Sequence, residues 1–196
     1  MVEHEKELVM KWSKWLENWD MTKLNIKTPF LDMEWAPQEK DKDAAWDMYI
    51  ELLTRITTQR LAPDHGDEKT ALESVYSLFG ITRQVIRAHG RDCINFTKIA
   101  IVILNQVIRP FTAKWHRRSV QGAFKKPKRC KEFRDELFEL QSLLRKYTKM
   151  LADMAGVEDL TEFEEKNENK QKIKNQDSND QRINSFRIEI HPVTLN

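Results

Sequence analysis

Carboxylates and an imidazole lie close together in the turn that follows Pro63, and there the chain could do metal or acid–base chemistry. Four such side chains fall within five residues: Asp64, His65, Asp67 and Glu68. Together they could share a divalent ion. Acidic residues at a helix start also accept hydrogen bonds from its free N–H groups and suit its dipole. Because no H-E-x-x-H, C-x-x-C or E-x-x-H spacing accompanies them, we interpret the cluster as a turn and a helix start.

The two cysteines differ in their surroundings. Cys93 lies on an apolar stripe, where a buried and inert thiol is expected. Cys130 lies among Lys128, Arg129 and Lys131, and nearby cations favour the thiolate and so lower the pKa of a thiol. The chain has neither a G-x-S-x-G elbow nor a Gly-rich phosphate loop. The sequence therefore indicates binding more than catalysis, and no cofactor.

A run of cations from Arg109 to Lys131 is the second chemically distinctive feature. It holds nine Lys and Arg and no Asp or Glu, in a chain whose net charge is only +2. Trp115 and Phe124 are interleaved, and such a combination can grip phosphates and stack on bases. It could equally dock on an acidic protein surface, or be a solvated loop. The candidate contact residues are Arg117, Arg118, Lys125, Lys126, Lys128 and Arg129.

Polar residues recur at three- or four-residue steps through the same region. They are Asn105, Arg109, Thr112 and His116. If one helix continues through Pro110, these side chains form a polar ridge along it. Polar groups on a core helix need partners when they are buried. We therefore expect either a buried network with Asp or Glu of the preceding helices or the lining of a small site.

The ridge belongs to the most apolar run of the chain, Cys93–Trp115. Its apolar residues recur at helical spacing and predict a central core helix over about residues 92–116. Only ten residues separate Lys98 from Arg109, too few for the roughly 20 apolar positions of a membrane-spanning helix. Pro110 removes a backbone donor and predicts a kink or an end there.

The same periodicity predicts four further helices. They cover about residues 2–19, 38–59, 67–89 and 128–155. Gly90 and Gly156 are placed to end the third helix and the last. The connections are mostly short, which favours antiparallel neighbours. The predicted fold class is an all-α antiparallel bundle of four to five helices around the central helix.

Aromatic residues cluster in the first helix and in the connection after it. Trp12 and Trp15 share one face of the helix, and Phe30 and Trp35 lie in the Pro-containing connection, residues 20–37. Such rings can close one side of the bundle core or form a surface for a protein partner. The polar face of the helix mixes Glu with Lys, which does not favour a membrane surface.

The composition changes after residue 156. Residues 157–196 are polar and are predicted to be largely disordered, because they offer little apolar area for burial. Residues 183–195 include apolar side chains that alternate with charged ones, as in a strand that could join the sheet of a partner. These apolar residues are Phe186, Ile188 and Ile190. We predict a bundle domain, residues 1–156, followed by a tail.

Together these features predict a non-catalytic subunit or adaptor of a larger cytoplasmic assembly, with a protein partner. Two cysteines in 196 residues and a charged N-terminus favour the reducing cytoplasm. A nucleic-acid-binding protein that uses residues 109–131 is the second hypothesis, and a metal-dependent enzyme is the third. No membrane partner is expected, and homo-oligomerisation is compatible with either binding role.

Overall fold

The chain divides into two units, Met1–Asp159 and Leu160–Asn196. The computed structural model describes residues 10–19, 21, 29–55, 57–59, 61 and 66–161. Of the second unit it therefore describes two residues. The predicted tail beyond residue 161, with its strand-like segment, lies outside the described residues, and the predicted domain boundary at residue 156 stays a prediction.

The described part of the first unit is an all-α bundle. Its helices are α1 (Trp12–Asn18), α2 (Glu39–Leu53), α3 (Glu68–His89), α4 (Ile94–Val102), α5 (Arg109–Val120) and α6 (Pro127–Ala155). π-helical turns over Ile103–Ile108 join α4 and α5 into one continuous helix. The described residues thus form five helices, and the predicted fold class is confirmed.

The continuous helix α4–α5 supplies much of the core. Its predicted apolar positions are buried, among them Phe96, Ile103 and Trp115. α2 packs against α3, α4 and α6, so these helices share one set of apolar side chains. Burial of these side chains is the main favourable term in the stability of such a bundle.

The helix passes through Pro110 by widening the turn before it. Pro110 has no N–H to donate, and the N–H of Arg109 binds the carbonyl of Leu104, five residues back. A π-helical turn of this kind is a recognised way to bend a helix without ending it. The helix consequently continues beyond the predicted end near residue 116 and reaches Val120.

A buried carboxylate ties α2 to the start of α4. Asp41 is fully buried. Its Oδ1 accepts the backbone N–H groups of Asn95 and Phe96 at 2.7 and 2.9 Å. Its Oδ2 accepts the N–H of Gln38 at 2.9 Å and Nδ2 of Asn95 at 3.0 Å. One side chain therefore satisfies free donors at the N-termini of two helices.

α2 ends six residues before its predicted end at Gln59. The hydroxyl of Thr58 donates to the carbonyls of Leu52 and Arg55, at 2.7 and 3.2 Å. The hydroxyl of Thr54 donates to a carbonyl in the same turn. Threonine hydroxyls that bind backbone carbonyls compete with helical hydrogen bonds, and periodicity alone does not reveal this.

Candidate functional site

Cations are segregated over a longer stretch of the chain than the predicted basic segment. Residues 74–131, the basic stretch, contain thirteen Lys and Arg and one acid, Asp92, which gives +12. Because the whole chain has a net charge of +2, the remaining residues carry −10. The basic stretch covers most of α3, all of α4 and α5 and the start of α6. Charge asymmetry of this size concentrates positive charge on these helices, and binding of an acidic surface or a nucleic acid there stays a prediction.

Within the basic stretch, α3 and α5 lie side by side and antiparallel. Arg109 Cζ is 4.9 Å from the centre of the Phe79 ring, and the His116 ring meets the Tyr76 ring edge-on with 4.9 Å between centroids. Tyr76 is 54% exposed, so its ring is accessible at the surface. Arg83, one turn after Phe79 on α3, is also exposed. These five residues define the α3–α5 face.

The predicted polar ridge lies along this face. Asn105 Oδ1 accepts hydrogen bonds from Nε and Nη2 of Arg109, at 3.1 and 2.9 Å. The Thr112 hydroxyl donates to the Ile108 carbonyl at 3.1 Å. Nε2 of His116 is buried and has no hydrogen-bond partner among the described residues. Arg109 thus bonds within its own helix, where an acid of a preceding helix was expected, and a binding role for the ridge stays a prediction.

Acids of α6 bind three cations of the predicted basic segment. Lys114 Nζ pairs with Glu136. Glu132 accepts Arg118 Nη1 at 2.6 Å on one oxygen and Arg129 Nη1 on the other. Hydrogen bonds from Arg118 and then from Arg129 hold the pKa of Glu132 below its ordinary value, because both favour the carboxylate. Glu132 therefore fixes two guanidinium groups side by side.

The candidate contact residues gather at one corner, where α5 ends and α6 begins. Arg118 is half-buried, and the other five are exposed: Arg117, Lys125, Lys126, Lys128 and Arg129. The interleaved rings are placed differently. Trp115 is fully buried and donates from Nε1 to Glu136 at 2.9 Å, and Phe124 packs against the core. The accessible ring of the basic stretch is Tyr76, which the sequence reasoning did not single out.

The predicted low pKa of the Cys130 thiol is wrong. Burial raises its pKa, and the carboxylate of Glu68 raises it further, against the opposing effect of Arg134. Cys130 Sγ is 3.3 Å from the carbonyl of Phe124, to which the thiol donates. The flanking lysines are exposed and act through water, whereas the thiol lies inside the corner.

The aromatic residues of the N-terminal region form one cluster in the core. The rings of Trp15 and Trp35 stack with 3.8 Å between centroids, and Trp12 meets Trp35 edge-on at 4.4 Å. Phe30 packs against Trp12 at 4.7 Å. Trp15 Nε1 donates to Asp153 at 2.6 Å. The structure thus brings together the four predicted partner-binding aromatics, with only Trp35 partly accessible, and partner binding through them stays a prediction.

The other partner-binding candidates and half of the acidic cluster lie outside the described residues. These are Phe186, Ile188, Ile190, Asp64 and His65. Asp67 caps α3, since its Oδ1 accepts the N–H of Thr70 at 2.9 Å. Glu68 pairs with Arg134 at 2.7 Å. The part of the chain that the structure describes holds no group of three or more His, Cys, Asp or Glu placed to bind a metal ion.

A groove between α2 and α3 is another accessible surface with an aromatic side chain. Trp46 and Ile50, one helical turn apart on α2, are 43% and 37% exposed. They border a hollow of about 410 Å³ whose far wall is formed by α3 residues that include Ile81 and Val85. Asp47 and Glu51 stand on the α2 rim. These residues define the α2–α3 groove.

The carboxylates on the rim of the α2–α3 groove are held from outside it. Asp47 Oδ2 is 2.7 Å from Nε2 of His89. Glu51 Oε2 accepts Nε and Nη2 of Arg55 at 2.9 and 2.6 Å. Each carboxylate can still accept further hydrogen bonds on its remaining lone pairs. The rim therefore presents two fixed acidic groups beside an exposed indole.

Comparison with known proteins supplies no relative from which a role could be transferred. No protein-family model, curated protein or solved structure matches the chain. Among the described helices none is long and apolar enough to cross a membrane.

The α2–α3 groove and the α3–α5 face could each have been detected from the sequence. Trp46 is out of phase with the buried stripe of α2, which includes Ala45, Met48 and Leu52, so the sequence places a large apolar residue on the polar face of this helix. The scarcity of acids extends back to residue 74. Counting charge over whole helices, and not only over the densest run, would have found the α3–α5 face.

Proposed function

We propose that this chain is a non-catalytic interaction subunit or adaptor that binds a segment of another protein in the α2–α3 groove. The observation that carries the proposal is the exposure of Trp46 and Ile50 beside a hollow of about 410 Å³. Trp is among the residues most enriched at the energetic centre of protein interfaces. An indole at the edge of a groove is well placed for such a role.

Charge indicates the chemistry of the partner segment. Asp47 and Glu51 lie four residues apart on α2 and line one side of the groove, and Asp43 precedes them by one further turn. A segment that inserts an apolar side chain beside Trp46 and places Lys or Arg against Asp47 and Glu51 would match both features. We infer that the assembly is cytoplasmic, since the free cysteines Cys93 and Cys130 suit a reducing compartment.

The test is capture of partners from the protein's own host, with nuclease present, on immobilised wild-type chain and two variants. Trp46→Ala should capture at least tenfold less of a stoichiometric protein partner than the wild-type chain does, as expected for an interface hot spot. Tyr76→Ala removes an equally accessible ring on the α3–α5 face and should retain that partner. Circular dichroism should show both variants folded, because neither ring is buried.

Two results would contradict the groove proposal. One is a partner retained equally by wild type and Trp46→Ala. The other is a partner lost with Tyr76→Ala alone, which would move the interface to the other surface. Recovery of the chain itself as the captured protein, confirmed by sedimentation, would identify the partner as a second copy.

A second candidate function is nucleic-acid binding on the basic stretch. The observation that favours it is the exposed ring of Tyr76 within a stretch of net charge +12. Cations supply sequence-independent affinity for phosphates, and an accessible aromatic ring supplies a stacking platform for a base. The exposed corner residues Lys125, Lys126, Lys128 and Arg129 would extend the contact along a strand.

Salt dependence tests this second function. A labelled single-stranded oligonucleotide should bind with an affinity that falls steeply with salt concentration. Joint replacement of Lys125, Lys126, Lys128 and Arg129 by Gln should reduce the logarithmic slope by about 3, if each cation contacts one phosphate. Trp46→Ala is the control and should leave the slope unchanged. A slope near zero for the wild-type chain would exclude nucleic acid as the partner.

A further inference from the structure

A small cavity at the corner between α5 and α6 is lined by three cations. Its volume is about 200 Å³, and its lining includes Arg118, Lys126, Arg129 and Gln121. We propose that this cavity binds a dianionic phosphate group, either free phosphate or the terminal phosphate of a monoester. The proposal goes beyond protein docking in the α2–α3 groove and does not depend on it.

The two guanidinium groups of the cavity are already held in place. Glu132 accepts Arg118 Nη1 at 2.6 Å on one oxygen and Arg129 Nη1 on the other. Arg118 Cζ also lies 4.9 Å from the centre of the fully buried Trp115 ring. Each guanidinium has five N–H donors, so most donors of the pair remain for a ligand. Fixed guanidinium forks bind phosphate oxygens well because little side-chain entropy is lost on binding.

Charge selects the kind of phosphate. The cavity holds Arg118, Lys126 and Arg129, and the carboxylate of Glu132 offsets one of these cations. The remaining two positive charges match a phosphate monoester, which carries about −1.5 to −2 at neutral pH. A phosphodiester carries about one negative charge, as in the backbone of DNA, and would leave part of this charge uncompensated.

The position of the cavity and its size agree with this ligand. Lys126 is the residue before the first turn of α6, and this first turn contains no acid. The positive end of the helix dipole therefore adds to the field of the side chains. A hollow of about 200 Å³ is smaller than the roughly 300–1,000 Å³ of sites that enclose whole organic ligands. It suits the phosphate group, with the rest of an ester outside.

The first experiment titrates the full chain with inorganic phosphate by isothermal calorimetry, at constant ionic strength set with chloride. Wild type should show one saturable site. Lys126→Gln should weaken binding at least tenfold, and Arg118→Gln more, because the latter removes a guanidinium fork and leaves the Glu132 carboxylate paired with Arg129 alone. Lys131→Gln makes the same change of charge on α6, outside the cavity, and should stay within about twofold of wild type.

The second experiment identifies the source of the phosphate. Adenosine 5′-monophosphate and a 5′-phosphorylated single-stranded oligonucleotide are each tested as competitors of inorganic phosphate. The control for each is the same molecule with a hydroxyl in place of the phosphate. Displacement by the phosphorylated molecules alone supports the proposal, and the tighter competitor indicates a nucleotide or a nucleic-acid end. Because Trp46→Ala leaves this corner untouched, it should bind phosphate normally whether or not it loses a protein partner.

Three outcomes would overturn the proposal. One is the absence of saturable phosphate binding by the wild-type chain. Another is equal weakening by Lys126→Gln and Lys131→Gln, since that would indicate a diffuse electrostatic field without a defined site. The third is equal displacement by the hydroxyl-ended and the phosphorylated oligonucleotide, since the corner would then contact backbone phosphodiesters.

Discussion

The α2–α3 groove and the α3–α5 face lie on either side of α3 and differ in the charged side chains they carry. The α2–α3 groove sets Trp46 beside Asp47 and Glu51, whereas the α3–α5 face sets Tyr76 against His116, on a face that also carries Arg83 and Arg109. Each surface offers one exposed aromatic ring, so the rings do not distinguish them. The charges around the rings do, and our proposals of a basic protein segment for the groove and a polyanion for the face rest on this difference.

The contacts of a buried tryptophan differ from those of the exposed Trp46. Trp15 stacks on Trp35 and donates its Nε1–H to Asp153 at 2.6 Å, so both its apolar face and its polar edge are satisfied inside the bundle. Trp46 stacks only loosely on Tyr49, with 5.9 Å between centroids, and keeps 43% of its surface exposed. A ring whose apolar face is still exposed to water is the better candidate for contact with a partner.

The largest effect should come from a change that breaks both surfaces at once. Asp41 binds the N-terminal N–H groups of α4 while it belongs to α2, and both surfaces depend on the packing of these helices. Asp41→Ala leaves several buried donors without an acceptor, each at a cost of about 1–3 kcal/mol. The free energy of unfolding, measured with urea, should fall by about 3–5 kcal/mol.

Asp43→Ala is the matched control for this loss. Asp43 is exposed on the same helix and pairs with Lys40 at 3.2 Å. A surface ion pair of this kind contributes about 0–1 kcal/mol. If Asp41→Ala were as stable as Asp43→Ala, the hydrogen bonds at the start of α4 would not hold the bundle together, and the two surfaces would have to be supported independently.

Periodicity was enough to predict the bundle. The spacing of apolar residues in α3 and α6 places their boundaries within a residue of those observed, because Asp67 and Gly156 act locally as cap and stop. The end of α2 was missed, because the threonine hydroxyls that interrupt it form contacts that only a folded chain reveals.

The candidate sites were less predictable for a related reason. The sequence identifies which residues are aromatic or cationic, but not which of them face one another across helices. Arg118 and Arg129 both bind Glu132, which lies on a different helix from Arg118. The charge of the basic corner could be read from the sequence, whereas its cavity depends on the packing of α5 against α6.

The smallest effect concerns Cys130. The pKa of its thiol reports how strongly the cations of this corner affect a group inside the bundle. In the sequence its neighbours predict a reactive thiolate, yet burial and then the Glu68 carboxylate raise the pKa of the thiol above its ordinary value. A raised pKa means less thiolate at any pH below it, and therefore slower alkylation. In a Cys93→Ala background, Cys130 should react with iodoacetamide several-fold more slowly in the native state than in urea, at pH 8.

The pH dependence of this alkylation distinguishes an effect of thiol ionisation from an effect of reagent access. If ionisation limits the rate, the native-state midpoint should lie at higher pH than that of the urea-unfolded chain, and Glu68→Gln should move it down, because a carboxylate that disfavours the thiolate is removed. A native midpoint below the unfolded one would mean that Lys128, Arg129 and Lys131 dominate the field at the thiol. The positive potential of the corner would then extend into the bundle, and the cavity proposed to bind phosphate could not be treated as a separate site.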